Sequence, residues 1–155
     1  MAGSGSPQFH VEAPGLRVAI VASRWHEVHI DALLEGARLA LAEAKVGEPD
    51  VVRVPGSLEI PLACAKITDR YDALVALGVL IRGETPHFTF VSQTITDLIA
   101  KISVESGVPI GFGVLQCDDE AQAADRSGLP GARESKGYEA AASAVSMALT
   151  LRELG

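Results

Sequence analysis

The sequence predicts an α/β protein, a three-layer αβα sandwich on a four-stranded parallel sheet. Three observations carry this expectation. Four short runs are almost wholly apolar and rich in β-branched residues. Each is followed by a stretch whose apolar residues recur at helical spacing. The chain has 155 residues, 48% hydrophobic and 21% charged, which is enough apolar material for one packed core. A strand that is apolar throughout is buried on both faces, and a sheet covered on both faces by crossover helices is parallel.

The elements follow in order. Residues 1–14 are rich in Gly, Ser, Pro and Ala without periodicity, and are expected to form a flexible arm ahead of a single domain over 15–155. The run "LRVAIVAS" (16–23) is the first strand. In 27–45, Ile30, Leu33, Leu34, Ala37, Leu41 and Ala44 form one apolar helical face. "DVVRVP" (50–55) is the second strand, ended by Pro55-Gly56. Residues 57–70 are expected to be helical, with Ser57 as the cap and Pro61 in the first turn. "YDALVALGVLI" (71–81) is the third strand. A long helix over 86–106 is stopped by Gly107 and Pro109, and "PIGFGVLQ" (109–116) is the fourth strand. A short helix (118–127), the loop "GLPGARES" and a closing helix (136–154) complete the chain. Right-handed crossovers narrow the topology. The flavodoxin-like strand order 2-1-3-4 is the one expected.

Composition excludes several classes of function. The net charge of −7 argues against general attraction to nucleic acid or to an anionic membrane. No apolar stretch reaches the roughly 20 residues that cross a bilayer, and the N-terminus lacks the pattern of a signal peptide. A cytoplasmic protein is expected. Cys64 and Cys117 form no CxxC pair and read as two reduced, buried thiols.

Ligands of such sheets bind beyond the carboxyl ends of the strands. The segments there are "SRWHE", "VPGSLEIP", "IRGETPHF" and "LQCDD". In the third, Thr85 suits an N-cap and Pro86 the first helical position. The free N–H groups of that turn favour a phosphate or carboxylate. Gly83 admits a ligand close to the backbone, and His87 can move protons near neutral pH. The plain alternative is a capped helix start with a surface histidine. Trp25 offers a flat surface for stacking a heterocycle, or else packs as an ordinary core aromatic. Ser57 and Glu59 suit the hydroxyls of a polyol chain, or else serve only the helix start. Arg126 can clamp a phosphate in bidentate fashion. It and Lys136 otherwise read as solvated charges. "HEVH" (26–29) is one residue short of the HExxH zinc spacing. Nucleotide-binding glycine motifs and a serine nucleophile elbow are absent from the sequence.

Taken together, "VPGSLEIPLA", "ALGVLIRGETPHF", "GVPIGFGVL", "QAADRSG" and "KGYEAA" resemble the lumazine synthase family, over roughly residues 16–154. The resemblance implies condensation of 5-amino-6-(D-ribitylamino)uracil with 3,4-dihydroxy-2-butanone 4-phosphate, without metal or redox cofactor. It implies that Trp25 stacks on the pyrimidine, while Ser57, Leu58 and Glu59 meet its ribityl side. Val79, Leu80 and Ile81 would edge the ring with backbone groups. Glu84 and Thr85 would form the phosphate turn, His87 would transfer protons, and Arg126 would bind phosphate with Lys136 nearby. Phe112 would reach the site of an adjacent subunit. The family forms pentamers, some assembled into 60-subunit shells, and riboflavin synthase is a further expected partner. The loop "GLPGARES" is longer than that of shell-forming members, so a free pentamer is expected.

Two features depart from the common pattern. "LQCDD" replaces a threonine-rich stretch, and Trp25-His26 replaces the commoner Phe-Asn. A response regulator would need an acidic cluster after the first strand, where Ser23, Arg24, Trp25 and His26 stand instead. A non-catalytic homologue acting as ligand carrier or shell is the remaining alternative.

Overall fold

The computed structural model describes residues 5–8 and 10–155. The expected arm falls partly on residues 1–4 and 9, which lie outside the described residues. Four strands, β1 (Val18–Ser23), β2 (Asp50–Val54), β3 (Ala73–Ile81) and β4 (Ile110–Cys117), form one parallel sheet in the order β2-β1-β3-β4. This is the expected topology. β1 and β3 are central, and their apolar runs are buried nearly throughout.

Alternate residues feed two cores. Ile20, Val75, Leu77 and Leu115 face a layer made by α1 (Glu27–Glu43), α5 (Lys136–Leu154) and the short α4 (Glu120–Arg126). Val21, Leu74, Ala76 and Val114 face α2 (Ile60–Ile67) and α3 (His87–Ser106). Small residues let α5 press close to its neighbours. A Cβ on Gly111 would run into the Ala140 carbonyl, and one on Gly137 into the Leu33 carbonyl.

Helix ends follow local chemistry. Gly107, at φ 74°, terminates α3 with its N–H on Ser103 O at 2.9 Å. Asp119 caps α4 by accepting from Gln122 N at 2.8 Å. Two expected caps differ. Residues 57–59 form a 3₁₀ turn ahead of α2, and the residue before it is Gly56, whose N–H donates to Glu59 Oε2 at 3.0 Å. The Ser57 hydroxyl therefore caps nothing. At α3 the capping position falls on Pro86, one residue later than expected, while Thr85 Oγ1 still accepts from His87 N at 3.4 Å. Both cysteines are free and buried.

Candidate active site

Because all four strands run parallel, their carboxyl ends share one rim. β1 leads into Trp25, whose side chain is 68% exposed. His26 follows in a left-handed conformation at φ 62°, uncommon for a residue with a Cβ. It turns the chain sharply into α1. The turn is fastened from β2: Arg24 N donates to Pro55 O at 3.3 Å, and Arg53 Nη2 to Ser23 O at 3.2 Å. A Cβ on Gly56 would lie 3.3 Å from Trp25 Cδ1, so the indole rests beside the Gly56 backbone.

The 3₁₀ turn at Ser57–Glu59 sits over β3. Gly78 permits this, since a Cβ there would stand 2.6 Å from Ser57 Oγ. Ser57 is buried, and its hydroxyl has no hydrogen-bond partner among the described residues. Such an orphan costs free energy unless a ligand or water satisfies it. Leu58 and Glu59 are exposed. Glu59 spends one oxygen on Gly56 N and keeps further acceptor capacity.

β3 ends in Val79, buried, and Leu80 and Ile81, half-buried. Glu84, Thr85 and His87 are exposed in the following turn. Its base is held by Arg82, which sequence reasoning passed over. Arg82 N donates to Cys117 O at 2.9 Å, and its Nε donates to Asp118 Oδ1 at 2.8 Å. Its guanidinium lies 4.5 Å from the Phe88 ring centroid, a cation–π contact. The Arg82 hydrogen bond, followed by its charge, holds the Asp118 carboxyl below the ordinary aspartate range.

Arg126 ends α4 at the same rim, half-buried, with Nη1 on Gln122 O at 3.0 Å. Burial pushes the Cys117 thiol up, and the nearby Arg126 charge opposes that shift. Four of the five donors of this guanidinium type remain for a ligand.

Phe112 and Lys136 lie outside the turns that follow β1, β2 and β3. Phe112 lies mid-strand in β4, opposite Ala76, and is 41% exposed. It stands five residues before the Ile81–Cys117 pair, which is about 16 Å along a parallel strand. Lys136 opens α5 with its ammonium 3.3 Å from both Glu134 and Glu139. Phe112 and Lys136 instead line one groove of about 1150 Å³, between α5, the start of β4 and residues 5–8 and 10. The groove comes near the rim at α4, where Ser135, next to Lys136, bridges Ser127, next to Arg126. His26 and His29 form no metal centre: His29 Nε2 is 2.7 Å from Glu120 Oε1, and no three His, Cys, Asp or Glu side chains converge among the described residues.

Comparison with known proteins adds an independent line. Residues 15–152 match the family model described as 6,7-dimethyl-8-ribityllumazine synthase. The chain is similar to proteins of that name from Streptomyces avermitilis, 51% identical over 99% of this chain and 97% of that one. It is also similar to those from Renibacterium salmoninarum, 50% identical over 98% and 100%, and Kocuria rhizophila, 51% identical over 97% and 99%.

Proposed function

The chain belongs to the 6,7-dimethyl-8-ribityllumazine synthase family, and on that premise we propose how its rim does the family's work. The protein is a transferase of riboflavin biosynthesis. It condenses 5-amino-6-(D-ribitylamino)uracil with 3,4-dihydroxy-2-butanone 4-phosphate to 6,7-dimethyl-8-ribityllumazine. The single observation that carries the residue assignments is the convergence of Trp25, the Ser57–Glu59 turn, the Glu84–His87 turn and Arg126 at one rim.

In this reading the exposed indole of Trp25 stacks on the pyrimidine, with backbone groups of Val79, Leu80 and Ile81 along the ring edge. Ser57, Leu58 and Glu59 meet the ribityl chain, where a sugar hydroxyl satisfies the orphan Ser57 oxygen. The phosphate sits at the Glu84–Thr85 turn against the first N–H groups of α3, clamped by Arg126. The 5-amino group adds to the butanone carbonyl and loses water to give an imine, phosphate is eliminated, and the ribitylamino nitrogen closes the ring with loss of a second water. His87 carries protons beside the butanone, and Arg126 holds the leaving phosphate as charge develops on it. Fixing both reactants supplies much of the acceleration, up to about 7–11 kcal/mol in favourable cases. Acid–base help adds about 10²–10⁴-fold.

Family membership implies small-molecule substrates and an oligomer. We assign a pentamer, with residues 15–155 as one domain behind a 1–14 arm. The distance of Phe112 from the rim supports a head-to-tail arrangement, in which the Phe112 edge of one subunit completes the rim of the next. Exposed Leu58, Leu62, Phe90, Leu98 and Val104 on the α2–α3 side support a covered surface there. A cytoplasmic location and a hand-over of product to riboflavin synthase go with this reading, as does chemistry without metal or redox cofactor. The test is direct. Mixing both substrates with the protein should release inorganic phosphate and produce the fluorescence of the lumazine, and neither signal from folded protein would refute the proposal.

A further inference from the structure

Between β4 and α4 the chain reads Cys117-Asp118-Asp119-Glu120, which overlaps the "LQCDD" stretch at 115–119. Its three acids have three different partners. Asp119 caps α4 itself. Asp118 Oδ1 accepts from Arg82 Nε at 2.8 Å, and Arg82 sits at the foot of the phosphate turn with its guanidinium on Phe88 of α3. Glu120 Oε1 lies 2.7 Å from Nε2 of His29, four residues after Trp25. The His29 side chain is only 6% exposed, and its Nδ1 has no partner among the described residues. Glu120 is therefore the one polar group among the described residues that holds this ring.

We propose that the Asp118–Glu120 turn is a brace. Through Arg82 it fixes the phosphate turn, through His29 the aromatic turn, and through its own helix Arg126. The inference rests on the site reading above. The Arg82–Asp118 ion pair, with Asp118 63% open to solvent, adds little to stability, and the carboxylate on the buried His29 ring is itself 70% exposed. What the two contacts set is the distance between three segments that must meet two substrates at once. Neither carboxylate touches substrate, so both are positioning residues.

The experiment compares Asp118→Ala, Glu120→Ala and the double variant with Asp118→Asn and Glu120→Gln, which keep an acceptor oxygen. The double Ala variant should raise KM for the butanone phosphate roughly 2- to 30-fold, with kcat and melting temperature near those of the parent. The Asn and Gln variants should recover most of the lost affinity. Unchanged KM values in the double Ala variant overturn the brace. So does a parallel fall of kcat, affinity and melting temperature without rescue, which marks a purely structural role. Arg126→Ala, run alongside, separates the two levels. If it leaves KM for the phosphate substrate unchanged, the site reading fails and the brace with it. If it raises that KM while the double Ala variant does not, only the brace fails.

Discussion

At the scale of single residues, the proposed roles of His87 and Arg126 separate proton transfer from binding. His87 is exposed at the head of α3, its backbone N–H donates to Thr85 Oγ1, and its ring has no hydrogen-bond partner among the described residues. Its imidazole is free to follow the substrate. His87→Ala should lower kcat by about 10²–10⁴-fold while KM for both substrates stays near its parent value. Single-turnover kinetics check this, and an unchanged chemical step removes His87 from the mechanism. Arg126→Ala should act in the opposite way, weakening the phosphate substrate with less effect on the pyrimidine. The thiols offer a control. Burial pushes Cys64 up to about 12, so it is almost wholly thiol at neutral pH. The folded protein should leave Cys64 unlabelled by a thiolate-directed reagent that labels it in denaturant.

At the scale of elements, the sequence was legible wherever hydrophobic period decides the matter. β1 and β3 are buried on both faces, and α1 carries a single apolar face, so pattern alone located them. What it missed depends on groups distant in sequence. Ser57 looked like a cap, but Glu59 reaches back to Gly56 and leaves the serine oxygen buried and unpaired. The pairings of Arg82 with Asp118 and of His29 with Glu120 were not legible, because the partners lie 36 and 91 residues apart. The same holds for the packing of α5. Gly137 sits in a helix, where propensity disfavours it, because only hydrogen fits against the Leu33 carbonyl. Gly137→Ala should therefore destabilise by about 1–3 kcal/mol despite its better propensity, read by denaturant unfolding. The loop over residues 128–135 has its own fastening. Arg133 pairs with Asp125 through side chain and backbone, and Glu134 N donates to Asp125 O at 3.1 Å. The Arg133 side-chain hydrogen bond, above all, holds Asp125 below the ordinary aspartate range. A carboxyl depressed in the folded state contributes stability above its unfolded pKa and loses it as pH falls through the folded one. Protection of the Arg133 and Glu134 amides, relative to their intrinsic exchange rates, should fall as pH drops below about 4, and Arg133→Ala should abolish that step.

At the scale of the whole molecule, one chain holds two incomplete surfaces. The rim carries the exposed Trp25, the Glu84–His87 turn and Arg126. The opposite edge carries Phe112 in a groove that has no anion turn. Surfaces that differ in this way meet head to tail, and repetition of such a contact closes a ring when the rotation permits. For five subunits the closed particle has five times the 16.2 kDa chain mass, and a shell of twelve such rings sixty times. In the pentamer proposed above, the loop at 128–135 is the element that decides between them. Its fastening to Asp125 makes it a fixed projection rather than a tail that can fold aside. A fixed projection at a contact between rings keeps them apart by steric exclusion, whereas a loop free to rearrange would let them approach. Sedimentation should therefore give the five-chain mass, also when Arg133→Ala unfastens the loop, because removing one staple does not shorten the segment. Deleting residues 129–132 is the variant that should permit larger particles. A megadalton species from the parent chain would show that the loop lies outside the contact and overturn the assignment.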